Sequence, residues 1–140
     1  MNWKLIFLLS LFGLGMAFAT ISYIPSNIEP FCWLAIFIIC AWIIARYAPG
    51  KYFLHGFLVS IVNCVWITAA HVYYYGTYIA NHQDMVDMFN KLPMADHPKR
   101  MMVVMGPVFG IVFGLILGLF AFIAARLMKK PGGGTPAMAK

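Results

Sequence analysis

Four glycines stand at strict four-residue spacing in the last long apolar stretch of the chain, at Gly106, Gly110, Gly114 and Gly118. On an α-helix this spacing forms a column of bare backbone that winds slowly around the helix axis. Columns of small residues let two helices approach closely within a membrane. The stretch therefore predicts a helix with a partner pressed against its glycine face.

The composition places that helix in a bilayer. Of the 140 residues, 63% are hydrophobic and only 10% are charged, whereas soluble domains average about 25% charged residues. Four apolar stretches approach the roughly 17 to 25 residues that a spanning helix needs: Leu5–Ile24, Phe31–Tyr47, Tyr52–Tyr75 and Met101–Ala125. The predicted fold is an all-α membrane protein, a four-transmembrane-helix bundle forming one domain over residues 1–130. The Pro- and Gly-rich residues 131–140 predict a flexible cytoplasmic tail.

The charges predict the orientation of the bundle. With a cytoplasmic N-terminus, seven basic residues fall inside: Lys4, Arg46, Lys51, Arg126, Lys129, Lys130 and Lys140. All four acidic residues, Glu29, Asp84, Asp87 and Asp96, fall outside with Lys91, Lys99 and Arg100. This positive-inside pattern predicts a multi-pass protein of the inner (cytoplasmic) membrane with both termini in the cytoplasm. Topology and anionic lipid account for the net charge of +6, so we expect no nucleic-acid partner.

The N-terminus has a competing interpretation. Lys4, the apolar run that follows it and the small-residue pattern Ala17-Phe18-Ala19 resemble a signal peptide with its cleavage site. The apolar run continues through Ile24, however, and thereby reaches spanning length. We therefore expect a retained transmembrane helix, whereas cleavage would leave three spans.

The third span carries a second column of small residues. Gly56, Ser60, Cys64 and Thr68 repeat the four-residue spacing of the last span, and we expect the two columns to face each other. The predicted packing residues are Gly56, Ser60, Gly106, Gly110, Gly114 and Gly118. Because small residues lie on several spans, we also expect a homo-oligomer or a subunit of a larger membrane complex.

Polar residues follow one side of the third span. At 100° per residue, a sector of about 120° contains Asn63, His71, Tyr74, Tyr75, Tyr78 and His82 together with Ser60. In one interpretation these side chains join neighbouring helices by hydrogen bonds. In the other they line a hydrated cleft that opens outward. Glu29 is then either a solvated charge of the turn before the second span or a carboxylate at the mouth of that cleft.

The segment after the third span is amphipathic. Apolar residues recur at helical spacing through residues 76–92 until Pro93, which predicts a continuing helix that forms a short external amphipathic helix between spans three and four. Asp96 or His97 then predicts the cap of the last helix, with Pro98 in its first turn.

Methionines and histidines gather in this segment. His82, Met85, Met88 and His97 are candidate ligands for a soft metal, and copper is the candidate because thioethers and imidazoles suit Cu(I). Methionine is also an ordinary filler of amphipathic faces. A membrane redox subunit with a haem or quinone is a further alternative, although no second buried histidine completes an axial pair.

No motif of an enzyme is present. A nucleophile elbow, a phosphate-binding loop, the HExxH motif and paired carboxylates within the spans are all missing. Cys32, Cys40 and Cys64 lie in apolar spans without CxxC spacing and predict neither a disulfide nor a zinc site. The sequence therefore predicts a non-enzymatic bundle, either lining a transport or permeation pathway or serving in an assembly.

Overall fold

The computed structural model describes residues 1–92 and 96–128, and every regular element in them is an α-helix. The helices are α1 (Trp3–Ser22), α2 (Glu29–Tyr47), α3 (Tyr52–Tyr73), α4 (Tyr75–Asn81), α5 (Gln83–Asn90) and α6 (Pro98–Met128). Four of them, α1, α2, α3 and α6, are long and apolar enough to cross a membrane. The predicted tail at 131–140, the lysines at 129, 130 and 140, and the predicted stop at Pro93 lie outside the described residues.

The four long helices run alternately up and down the bundle. Helices α1 and α3 are parallel, because Asn2 lies beside His55 at one end and Thr20 beside His71 at the other. Helix α3 is central and packs against α1 on one side and α6 on the other, while α6 also packs against α2. We name the two ends of the bundle the His55 end and the His82 end.

The glycines of α6 lie against α3. Gly106 contacts Thr68, Gly110 contacts Cys64, Gly114 contacts Phe57 and Gly118 contacts Phe53. On α3, a Cβ atom added to Gly56 would lie 2.6 Å from the carbonyl oxygen of Leu117 and 2.9 Å from the Cα of Gly118. The two backbones therefore approach so closely that a methyl group at position 56 would meet backbone atoms.

The contact between α3 and α6 uses the glycine surface that self-association was expected to use. The α6 glycines are covered by α3 of the same chain and are not left free for a second copy. Gly15, by contrast, faces open space on α1. Self-association stays a prediction, and it needs a surface other than the α6 glycine column.

Two apolar clusters fill the interior. The cluster at the His55 end takes residues from all four long helices: Leu5, Ile6, Leu9, Phe37, Cys40, Ala41, Ile44, Ala48, Val59, Leu117 and Ala121. The cluster at the His82 end contains Ala17, Ile21, Ala70, Tyr78, Met101 and Met102, none of which belongs to α2. Many large apolar side chains on the outer faces are exposed, as contact with lipid requires. At the His82 end, therefore, α4 takes the interior position that α2 has at the other end.

The segment between α3 and α6 differs from the prediction of one continuing helix. Helical backbone is interrupted at Tyr74, with φ −96° and ψ 30°, and again at His82, with φ −133° and ψ 65°. The interruption at His82 accompanies an inward turn of its imidazole, which is buried and stacked on Tyr78. The side of the membrane on which α4 and α5 lie stays a prediction.

The last helix begins as its sequence indicates and is longer than predicted. Pro98 is the first residue of α6, and the carbonyl of His97 accepts the first helical hydrogen bond from Met101 N at 3.0 Å. His97, of the two candidates, is therefore the capping residue. Helix α6 extends three residues beyond the predicted span at each end, so its 31 residues measure about 46 Å.

Gly56→Ala is expected to lower the free energy of unfolding by about 1–3 kcal/mol, because the new methyl group meets the backbone of α6. Gly15→Ala is the matched control, since nothing lies within 4 Å of a Cβ atom at that position. Unfolding in mixed detergent micelles, followed by circular dichroism, measures both. Equal stability of the two variants would contradict the close α3–α6 contact.

Candidate functional site

Polar residues recur at intervals along the contact between α1 and α3, and four of them, Ser10, Thr20, His55 and Asn63, are buried. We call this contact the polar seam. Its paired positions, from the His55 end to the His82 end, are Asn2 with His55, Ser10 with Trp66, Gly13 with Asn63, and Thr20 with His71. Polar side chains within hydrocarbon are costly and mark functional pathways more often than chance.

At the His55 end, His55 has both ring nitrogens hydrogen-bonded. The backbone N–H of Asn2 donates to its Nε2 at 3.0 Å, and its Nδ1 lies 3.1 Å from the carbonyl oxygen of Lys51. Since Nε2 accepts, Nδ1 carries the proton and the ring is neutral. This histidine therefore joins the start of α1 to the start of α3.

In the middle of the seam, Asn63 lies against the bare backbone of Gly13. A Cβ atom at position 13 would overlap the Asn63 carboxamide, so only glycine admits it. Asn63 is 2% exposed and its Oδ1 has no hydrogen-bond partner. Nearby, the Ser10 hydroxyl donates to the Phe7 carbonyl at 2.7 Å and accepts from the Trp66 indole at 3.2 Å.

Towards the His82 end, three rings form a stack. His71 lies 4.2 Å from Tyr78 between ring centroids, and Tyr78 lies 4.5 Å from His82, with interplanar angles of 22° and 17°. Thr20 Oγ1 lies 3.0 Å from the Met16 carbonyl oxygen and 3.3 Å from His71 Nε2. Because the threonine hydroxyl donates to the carbonyl, its oxygen accepts from the imidazole. The stack thereby continues the polar seam from α3 into α4.

The stack ends at a histidine–carboxylate pair. The Nδ1 of His82 lies 3.1 Å from the Tyr78 carbonyl oxygen, and its Nε2 lies 3.8 Å from Glu29 Oε2. The other carboxylate oxygen, Oε1, accepts from the Trp33 indole at 3.1 Å. Although His82 is 0% exposed, its Nε2 has no hydrogen-bond partner. Hydrogen bonds thus fix Nδ1 of His82 and Oε1 of Glu29, and the other two atoms, Nε2 and Oε2, face each other.

The pair and its stack are held by links between the loops. Asn81 Nδ2 donates to the Ile21 carbonyl at 2.8 Å, which fixes the end of α4 to the end of α1. The Ser26 hydroxyl donates to Asp84 Oδ1 at 3.0 Å, which fixes α5 to the loop before α2. Burial, followed by the Glu29 and Asp84 carboxylates, raises the pKa of Tyr78 above its ordinary value. A tyrosine phenol is neutral at physiological pH even at its ordinary pKa of about 10, and the raised pKa keeps its proton in place to still higher pH.

The stripe predicted on α3 is divided between two neighbouring helices. Gly56, Cys64 and Thr68 face α6, whereas Asn63 and His71 face α1. Glu29, Tyr78 and His82 join Asn63 and His71 along the seam, and they are buried or half-buried there. Tyr74 and Tyr75 do not belong to the seam: Tyr74 is 42% exposed beside Phe18, and Tyr75 lies under Lys99, 5.6 Å from its Nζ.

Sequence reasoning missed the α1 side of the seam. Ser10 and Thr20 are the polar residues that α1 contributes, and both are fully buried. A hydroxyl in an apolar span is a weak signal, because it can bond its own helix backbone as Thr20 does. Trp33 of α2 is a further residue that sequence reasoning did not assign to the site, and its indole donates to Glu29.

The predicted metal ligands occupy separate surroundings. Met85 packs beside the cluster around Tyr78, Met88 is exposed, and exposed His97 lies with Lys99 and Arg100 around a cavity of 310 Å³. Across residues 1–92 and 96–128, no three His, Cys, Asp or Glu side chains are placed to hold one metal ion. The Tyr78 ring separates the two imidazoles of the stack. Copper binding stays a prediction.

The chain matches no known family model, no curated protein and no solved structure. What the seam does therefore follows from its own atoms. Imidazole and carboxylate groups bind and release protons, and hydroxyl, phenol and carboxamide groups hydrogen-bond to water or to a passing proton. The seam contains the groups that proton transfer needs, without a nucleophile–base arrangement for covalent chemistry.

The contact between Thr20 and His71 is expected to couple the two helices. In a double-mutant cycle of Thr20→Val and His71→Phe, we expect a coupling free energy of about 0.6 kcal/mol, typical of hydrogen bonds between membrane helices. Thr20→Val with His55→Phe is the control, because these residues lie at opposite ends of the seam and their effects add. Equal coupling in both cycles, measured by unfolding in detergent, would contradict the seam.

Proposed function

We propose that this protein is a non-enzymatic membrane bundle that takes up and releases protons at the Glu29–His82 pair, as part of a transport or permeation pathway. The observation that carries the proposal is the fully buried imidazole of His82, whose unbonded Nε2 faces a carboxylate oxygen at 3.8 Å. Buried polar atoms without partners are rare in proteins and call for an explanation. Proton uptake supplies one.

A proton on His82 Nε2 turns the contact between His82 and the Glu29 carboxylate from an unfavourable one into a favourable one. In the neutral ring, Nδ1–H donates to the Tyr78 carbonyl, so a lone pair of Nε2 faces the carboxylate. When Nε2 is protonated, it donates to Glu29 and forms a charge-assisted hydrogen bond after a small approach of the two side chains. The Glu29 side chain is 23% exposed, so it gives water access to a histidine that has none of its own.

The charged groups around His82 limit how many protons the stack holds. Glu29 faces it from α2, and Asp84 lies on α5, the helix that begins at the residue after His82. His71 lies one ring further along the stack. Two imidazolium rings in one stack repel each other, so a proton on one ring disfavours a second charge on the other.

The distribution of charge supports an orientation for this uptake site. Among the described basic residues, Lys4, Arg46, Lys51 and Arg126 lie at the His55 end, where no described acidic residue lies. By the positive-inside rule that end faces the cytoplasm. The Glu29–His82 pair then faces the outside of the inner membrane, covered by α4 and by the amphipathic α5. Both termini are cytoplasmic in this arrangement, and the bilayer covers the outer faces of the four long helices.

Proton flux into liposomes tests the proposal. Reconstituted protein, driven by a potassium diffusion potential with a pH-sensitive dye inside, is expected to carry protons. His82→Gln and Glu29→Gln should each slow the flux by about 10- to 100-fold, because loss of a hydrogen bond to a charged group is worth about 1.5–3 kcal/mol.

His97→Gln is the matched control, since it removes an exposed imidazole at the same end of the bundle. It should leave the flux unchanged. Wild-type flux in both the His82→Gln and Glu29→Gln proteins, with native helical content, would sink the proposed uptake site.

A further inference from the structure

We propose that a groove between α2 and α6 at the His55 end binds an acyl chain of one anionic phospholipid, whose phosphate contacts Arg46. We call this cavity of about 430 Å³ the α2–α6 groove. Its volume lies within the range of about 300–1,000 Å³ that is usual for small-molecule sites. The groove lies at the opposite end of the bundle from the Glu29–His82 pair, so this proposal does not depend on proton uptake there.

The floor and the walls of the groove suit a hydrocarbon chain. Ala41, which is 4% exposed, and the half-buried Ala124 form the floor. The walls stand out from it, since Ile38, Trp42 and Leu127 are 56%, 53% and 79% exposed. Apart from the indole nitrogen of Trp42, the lining side chains carry no polar atom other than the thioether of Met128. The groove therefore offers dispersion contacts and almost no hydrogen bonds to its occupant.

The groove reaches the level of Arg46. Helices α2 and α6 run in the same direction, and the Phe37 ring lies 6.0 Å from Phe113 and 6.4 Å from Phe120 between centroids. Arg46 comes nine residues after Phe37, and the same step on α6 leads to about residues 122–129. Arg46 also follows Trp42 by four residues, which puts both on one face of α2. Arg46 therefore borders the end of the groove at Leu127 and Met128.

The charge at this end calls for an anion from outside the chain. Arg46 is exposed, and within residues 1–92 and 96–128 it forms no ion pair, because the acidic residues of those ranges lie at the His82 end. A guanidinium binds a phosphate through two parallel hydrogen bonds. Trp42, one turn deeper than Arg46, is the residue type that is enriched at the level of lipid headgroups. A cation above an apolar groove thus matches the order of phosphate and acyl chain in a phospholipid.

The size of the groove favours a lipid over a helix of a second copy. From Phe120 to Met128 the groove spans about 12 Å of α6. A helix 10 Å in diameter fills about 900 Å³ over that length, twice the volume of the groove, so a second copy could insert side chains only. An acyl chain is thinner and enters whole. Free phosphate, in turn, would leave the apolar lining without a partner.

Binding of the first lipid, measured by native mass spectrometry of the full-length protein, tests the role of Arg46. Dioleoyl phosphatidylglycerol is expected to bind about fivefold more tightly than dioleoyl phosphatidylcholine, which has the same chains and no net charge, because one cation near anionic lipid contributes a factor of about five. Arg46→Gln should abolish this preference. Lys4→Gln, which removes a cation of α1 at the same end, should keep it.

Two results would overturn the headgroup contact. One is equal binding of the two lipids by the wild-type protein. The other is a preference for phosphatidylglycerol that survives unchanged in Arg46→Gln.

A matched pair of double variants tests the groove. Ile38→Ala with Leu127→Ala lowers both walls and should weaken binding of either lipid about threefold, because six carbon atoms lose their contacts with the chain. Ile39→Ala with Leu119→Ala removes the same atoms from exposed positions of the same helices outside the groove, and it should leave binding unchanged. Circular dichroism checks that both variants fold.

Equal lipid affinity of the two double variants would overturn the assignment of the groove. A second copy is the competing occupant. If the wild-type protein is a dimer that dissociates in Ile38→Ala with Leu127→Ala while the affinity for the first lipid stays unchanged, then the groove belongs to a second copy and the proposal is wrong.

Discussion

Close approach of the α3 and α6 backbones is the contact on which the rest of the structure depends. Glycines on α6 and Gly56 on α3 remove the side chains that would separate the two helices. Within lipid, helices associate through such packing and not through exclusion of water. Because one side of α3 is taken up by this dry contact, its polar residues face α1 on the other side, and the bundle divides into a dry interface and a polar one.

Most polar side chains between α1 and α3 and in the adjoining ring stack have hydrogen-bond partners. The exceptions are Asn63 Oδ1 at the middle and His82 Nε2 at the end. The backbone N–H of Asn2, just before α1, and the hydroxyl groups of Ser10 and Thr20 on α1 each have a partner on α3, as expected where water is scarce. The histidines at the two ends, His55 and His82, also differ in whether both ring nitrogens are hydrogen-bonded. His55 has both nitrogens bonded and acts as a structural link. His82 is equally buried, yet one nitrogen has no partner, and the proposed function rests on this difference.

The long helices were predictable because their signals are local, whereas the site depends on contacts between residues far apart in the chain. Hydropathy places all four spans to within a few residues, and Pro25, Pro30, Pro49 and Gly50 mark the turns on either side of the second span. Four-residue spacing on α3 and α6 also indicates which faces meet. The break at His82 leaves no trace in the apolar periodicity of residues 76–92, because it accompanies burial of the imidazole against the Tyr78 ring and beside Glu29 of α2. Likewise, counting 100° per residue assigns Tyr74 and Tyr75 to the same helix face as His71. That count assumes one continuous helix, whereas the backbone is interrupted at Tyr74 and a second helix begins there.

The ring ¹⁵N signals of His82, followed by NMR in lipid bilayers as the pH is lowered from alkaline to acid, test the central claim most directly. The account predicts that Nε2 is unprotonated at the alkaline limit and carries a proton at the acid limit, with a simultaneous shift of the Glu29 carboxylate carbon. A His82 ring whose Nε2 keeps one protonation state across the whole range would contradict it.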